Sequence, residues 1–188
     1  MQKAMVSVAA IAFALFTANQ TQAQKYGPSG TATDVTNADI QAALKKTAAA
    51  TVSDQQLRVV DIEGEYNVAV GALHRVRMAA GKPVAGLVHS RITEVYHITE
   101  GTGTLVTGGT VKNAKESPAD SEIVRVLAGP GFSGVIEGGV SRKVGPGDVI
   151  IIPPGTPHGF SEITSDQIVY VVTRMDPHKV LPAGYVAK

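Results

Sequence analysis

His89, Glu94 and His158 are the side chains of this chain whose types and surroundings could hold a metal ion together. The first two lie in Gly81-Lys-Pro-Val-Ala-Gly-Leu87-Val-His89-Ser-Arg91-Ile-Thr-Glu94-Val-Tyr96-His97-Ile-Thr-Glu-Gly101, a pattern that ends one strand at His89 and opens another at Glu94 after a short turn. The third lies in Gly147-Asp-Val-Ile-Ile-Ile-Pro153-Pro-Gly155-Thr-Pro-His158-Gly-Phe160-Ser-Glu162, where a Pro-Gly corner ends a fully apolar strand. Convergence of the three is expected in the mouth of a barrel. Two neutral imidazoles and one carboxylate on one side of an ion leave positions open for water, oxygen or a bidentate substrate. Non-haem iron and some manganese, nickel, zinc and copper sites have this arrangement. The chain has 0 Cys, which excludes thiolate metal sites, iron–sulfur clusters, disulfide scaffolds and thiol nucleophiles. Any metal must therefore sit on His, Asp or Glu.

Other residues can serve the same site. Tyr96 and Ile98 share the face of Glu94, so Tyr96 is either a hydrogen-bonding partner for a substrate or bound water, or a packed aromatic with its hydroxyl satisfied. His74 alternates in step with Val68, Val70, Ala72, Val76 and Met78. The expectation is that this set points inward, with His74 as a substitute fourth ligand, an acid–base group or a hydrogen-bonded core histidine. His97 has the opposite parity to Glu94 and is expected on a second sheet face or a subunit contact. His178 is expected to be solvated in a polar tail. Phe160 should line the pocket mouth, and Arg91, on a turn, either attracts an anionic substrate or is an ordinary exposed arginine.

The elements that must position these groups follow from composition and period. A length of 188 residues suits one compact domain, and 20 Gly with 10 Pro and only 18% charged residues suggest many turns and a β-rich fold. Residues 1–23 read as a signal peptide: Lys3, an apolar run too short to span a bilayer, and small Thr21 and Ala23 before Gln24. Lys3 is the only charged residue there, so the mature chain carries as many acidic as basic side chains. No clustered cations mark a nucleic-acid or membrane partner, and the few aromatics, with 0 Trp, give no stacking platform. Residues 24–56 read as an arm and one helix, capped by Thr36 or Asn37, with Asp39 in its first turn and Lys45 and Lys46 near its end. Strand-like runs follow from residue 57 onward, over 93–99, 102–107, 122–127, 148–152 and 167–174. This pattern predicts an antiparallel sandwich or barrel.

The two quoted segments resemble the sequence motifs of the cupin superfamily, G-x5-H-x-H-x4-E-x6-G and G-x5-P-x-G-x2-H-x3-N. Gly81, His89, Glu94 and Gly101 match the first motif, and Gly147, Pro153, Gly155 and His158 match the second. The resemblance covers residues 57–175, leaving 176–188 as a C-terminal tail. It implies an all-β antiparallel jelly-roll barrel preceded by one short α-helix. It also implies that His89, Glu94 and His158 take three of the family's four usual metal positions. Leu87 stands where the first histidine is expected, and Glu162 replaces the final asparagine. The long stretch between the motifs, including polar residues 112–121, is expected to add a hairpin or loop.

The leading functional expectation is an exported, periplasmic or secreted, metal-dependent oxidoreductase of the dioxygenase type acting on a small organic molecule. Fe(II) is the first choice of metal, with Mn, Ni, Zn or Cu as alternatives, and Tyr96 or His74 moves a proton. The second reading is a non-catalytic small-molecule binding or sensing protein. A sugar isomerase or epimerase ranks last, because no inward-pointing Asp is evident. Resemblance to the family also implies a homodimer.

Overall fold

The computed structural model describes residues 32–187, so the expected signal segment and the first part of the arm lie outside the described residues. Helix α1 (Asn37–Lys46) starts where the capping pattern requires. The Thr36 hydroxyl accepts from the Asp39 backbone N–H at 3.2 Å, and the Asp39 carboxylate accepts from the Thr36 backbone N–H at 3.0 Å. The helix buries no residue completely and rests on β1 (Val52–Ile62) and β2 (Tyr66–Met78). No helix among the described residues is long and apolar enough to cross a membrane.

Eight more strands follow: β3 (Ala85–His89), β4 (Thr93–Glu100), β5 (Gly103–Thr107), β6 (Thr110–Glu116), β7 (Gly131–Glu137), β8 (Val140–Val144), β9 (Val149–Ile152) and the 19-residue β10 (His158–Asp176). Every pairing is antiparallel. The pairings trace two layers, β1-β2-β10-β4-β9 and β6-β7-β3-β10-β5-β8, which share β10. The first half of β10 pairs with β3 and β5, the second half with β2 and β4. Register shifts after Phe160 and Ile163 mark where it passes between layers. This is the expected antiparallel jelly roll behind one short helix. Its core draws Leu73, Tyr96, Ile98, Leu105, Ile152, Phe160, Ile168 and Tyr170 from both layers.

Two expectations fail here for physical reasons. The face of β2 that points into the core carries Asn67, Ala69, Gly71 and Leu73, the alternate set to that containing His74. Period two gives parity only, and α1 covers the outer face enough to bury His74 as well. Residues 122–127 form no strand. Ile123–Leu127 is a single π-helical turn, nucleated by the Pro118–Ser121 turn: the Arg125 N–H donates to the Ser121 carbonyl at 2.9 Å and the Ala128 N–H to the Ile123 carbonyl at 2.8 Å. This local bonding overrides the strand preference of Ile and Val. The polar insertion before it supplies β6, which pairs with β7 and leaves most of its side chains in solvent.

Finally, the C-terminal residues do not trail off. Buried Asp176 accepts from the backbone N–H groups of Val180 (3.0 Å) and Leu181 (2.8 Å), and Leu181 packs with Val59, Ala69 and Ile92. Val186 then bridges to Arg58 in β1. His178 is exposed, as expected.

Candidate metal centre

His89 is the last residue of β3, Glu94 the second of β4, and His158 the first of β10. Ile92, buried between the first two, anchors their turn on the cluster that includes Leu181, so the C-terminal segment supports the site. The corner after β9 is stitched to β3: the Gly155 N–H donates to the His89 carbonyl at 2.8 Å, with Gly155 at φ +76°, a conformation glycine adopts without steric cost. That bond brings His158 to His89, with ring centroids 5.1 Å apart.

Each histidine holds Nε2 at 3.4 Å from Glu94 Oε2, and all three residues are buried. His158 Nδ1 lies 3.0 Å from the Thr156 carbonyl, which can only accept, so Nδ1 carries the proton and the Nε2 lone pair faces Glu94 and His89. That Nε2 is buried with no hydrogen-bond partner among the described residues. Two donors bound at ~2.1 Å to one ion at a near-tetrahedral angle are ~3.4 Å apart. The separations seen here, and the orphaned Nε2, fit a divalent transition metal. Leu87 pairs with His158 across the β3–β10 ladder and lines the same cavity, so the fourth position is apolar.

The carboxylate is held from both sides. Oε2 accepts the Tyr96 hydroxyl at 3.0 Å, and Oε1 accepts Arg174 Nε at 2.9 Å. Burial alone pushes the Glu94 carboxyl up. The electrostatic pull of the His89 and His158 imidazoles and of the Arg174 guanidinium outweighs it and holds the group well below the usual carboxylate range. Burial, reinforced by the Glu94 charge, pushes the Tyr96 hydroxyl well above its usual value, so it stays protonated.

Sequence reasoning missed Arg174, Asp54 and Gln56. Arg174 is 1% exposed and sits directly opposite Glu94 in the β4–β10 register. Its Nη1 donates to Gln56 Oε1 at 2.8 Å, and its Nη2 is ion-paired with Asp54. Its parity with Val172 and Tyr170, a cation in step with a buried apolar run, was the available signal. Asp54 lines the cavity, which corrects the expectation that no Asp points inward.

Of the two expected proton-moving groups, Tyr96 is at the site and His74 is not. His74 Nε2 donates to the Ala50 carbonyl at 2.9 Å, beside Leu44 and Ala48 of the helical segment and on the opposite face of β2 from Leu73. It is a buried, hydrogen-bonded histidine on the outer face of β2, away from His89, Glu94 and His158. Phe160 is also displaced from its expected place: it packs in the core against Tyr170 (6.0 Å between ring centroids) and walls a separate groove. His97 and Arg91 are exposed. The site cavity is about 140 Å3, room for a small molecule, with Leu73, Leu87, Ile123 and Leu127 as apolar wall and Asp54 and Arg75 as polar wall.

The family model described as "Cupin domain" matches residues 108–174, a stretch that contains His158 and Arg174. No curated protein matches the chain. Among solved structures, the chain is similar to protein BH2720 from Bacillus halodurans (16% identity, 84% of this chain and 89% of that one, TM-score 0.46). It is also similar to an RmlC-like cupin family protein from Methanocaldococcus jannaschii (14%, 70% and 87%, 0.40). A third, the DMSP lyase DddQ from Ruegeria pomeroyi (16%, 73% and 52%, 0.40), is one of which this chain spans about half.

Proposed function

Because the chain belongs to the cupin superfamily, we propose that it is an exported, metal-dependent oxidoreductase of the dioxygenase type acting on a small organic molecule. The observation that carries this reading is the buried set of two imidazoles and one carboxylate, whose donor atoms lie within 4.8 Å of one another beside a small cavity. His89, Glu94 and His158 would hold a divalent transition metal, Fe(II) foremost, which supplies a Lewis-acidic, redox-active centre with open coordination positions.

The chain's own residues do the rest. The Thr156 carbonyl keeps His158 in the tautomer whose Nε2 is free. Arg174 keeps Glu94 ionised and fixed in direction. Tyr96 holds a proton on its hydroxyl at the cavity wall, within reach of an oxygen on a bound molecule. Leu73, Leu87 and the π turn exclude bulk water. The apolar run behind Lys3 supports export, and exposed Val149 and Ile151 on the outer face of β9 support a homodimer.

Elemental analysis of protein purified without chelators, followed by anaerobic Fe(II) titration, tests this. One ion per chain, lost in His158→Ala, and oxygen uptake with a member of a small-molecule panel are expected. No stoichiometric transition metal and no Fe(II) uptake would overturn the proposal. Leu87, an apolar residue in a ligand position, favours a second reading: a non-catalytic binding or sensing protein. Ligand binding that survives in metal-free His158→Ala, with no oxygen consumed by the parent, would establish that alternative.

A further inference from the structure

We propose that Arg75 receives an anionic group of the substrate, so that the molecule taken by this centre is a small aliphatic carboxylate. This rests on the reading of the site given above. Arg75 and Val52 are common to two spaces, the 140 Å3 site cavity and an outer groove of about 450 Å3 walled by Met78, Pro83, Phe160 and Ile163. The guanidinium therefore stands in the wall between the groove and the metal ligands.

It is held in place, and no carboxylate among the described residues forms an ion pair with it, although the Asp54 charge lies near. Nε donates to the Tyr170 hydroxyl at 3.0 Å, and Cζ lies 5.8 Å from the centroid of the Phe160 ring. Tyr170 is itself locked against Tyr96, with ring centroids 4.5 Å apart. The two Nη nitrogens form no hydrogen bond among the described residues. Arg174, in the wall of the same cavity, is the contrast: its Nε, Nη1 and Nη2 are taken by Glu94, Gln56 and Asp54. One arginine is consumed by the protein, while the other presents an unused fork, a geometry that matches a carboxylate.

Charge balance points the same way. The cavity wall holds two carboxylates, Glu94 and Asp54, and two guanidiniums, Arg75 and Arg174. A divalent ion would leave it with two uncompensated positive charges, and a neutral occupant would not relieve them. An anion bridging towards Arg75 does. Lys82 at the rim of the outer groove adds a positive approach, Arg77 there being paired with Asp166, while the remaining walls of both spaces are mostly apolar and suit a hydrocarbon part.

Calorimetric titration of the as-purified protein, with metal content measured in parallel, tests this with straight-chain carboxylates from propionate to hexanoate and their primary amides. Each acid should bind about tenfold or more tightly than its amide, the scale of a charge-assisted hydrogen bond. Arg75→Met should remove that preference while retaining the parent's metal content. Failure of the parent to bind the acids, equal affinity for acid and amide, or a preference that survives in Arg75→Met would overturn the proposal. The acid–amide comparison on the parent decides the matter even if the variant fails to fold. An Arg75-dependent preference in a protein that takes up no metal would instead overturn the metal reading and leave the role of Arg75 standing.

Discussion

Arg174 ties the first strand to the candidate metal centre, because one buried guanidinium pairs with both Glu94 and Asp54 and also satisfies Gln56. Removing it leaves buried Glu94 and half-buried Asp54 without their cation. Arg174→Met should cost about 3–5 kcal/mol in the metal-free protein, measured by urea unfolding, with a smaller loss once an ion compensates Glu94. Tyr96→Phe is a milder probe, since the ring still packs on Tyr170 while Glu94 Oε2 loses one donor. It should cost about 1 kcal/mol of stability. In a competition titration with a chelator it should lower metal affinity about 10–100-fold, the usual effect of a group that orients a ligand. The meeting of His89, Glu94 and His158 was legible in the sequence because His89 and Glu94 share one turn and His158 follows a Pro-Gly corner. The group that holds Glu94 was not, because Arg174 meets Gln56 and Asp54 across 118 and 120 residues of chain. Spacing carries no information at that range.

Among the elements, β10 makes contacts that tolerate little change. At Gly159 a Cβ would lie 2.2 Å from the Ala85 carbonyl oxygen, a backbone atom of β3 that cannot swing aside. Gly159→Ala should therefore push β3 and β10 apart where Leu87 faces His158. A loss of about 1–3 kcal/mol is expected by thermal or urea unfolding, together with weakened metal uptake as His158 moves from His89. Unchanged metal affinity would show that the corner at Gly155 alone sets the position of His158. Most strands were legible from period and turn residues, and the misreadings are instructive. The parity of β2 was ambiguous because α1 covers part of the face opposite the core. The π turn was hidden because its Ile, Val and Leu are strand formers, and only the Pro118–Ser121 turn and the cavity they cover make them helical.

For the whole molecule, a bound ion should act as a clamp. His89, Glu94 and His158 belong to β3, β4 and β10, so an ion that binds only the folded chain couples three strands. Loading at about 100 times its Kd adds about 2.7 kcal/mol, or roughly 5–10 °C in Tm for a domain of this size. A chelator should remove this shift, and His158→Ala should never show it. The placement of β10 has one more consequence, in time rather than in space. This strand joins β2, β3, β4 and β5, yet it follows all of them in the chain and so is made after them. Neither layer can close until it leaves the ribosome. The earlier strands must wait with their pairing edges open, and the long loops then closed make assembly slow. Until β10 is made, the strands it joins lack their common partner, so both layers stay open over the span from β2 to His158.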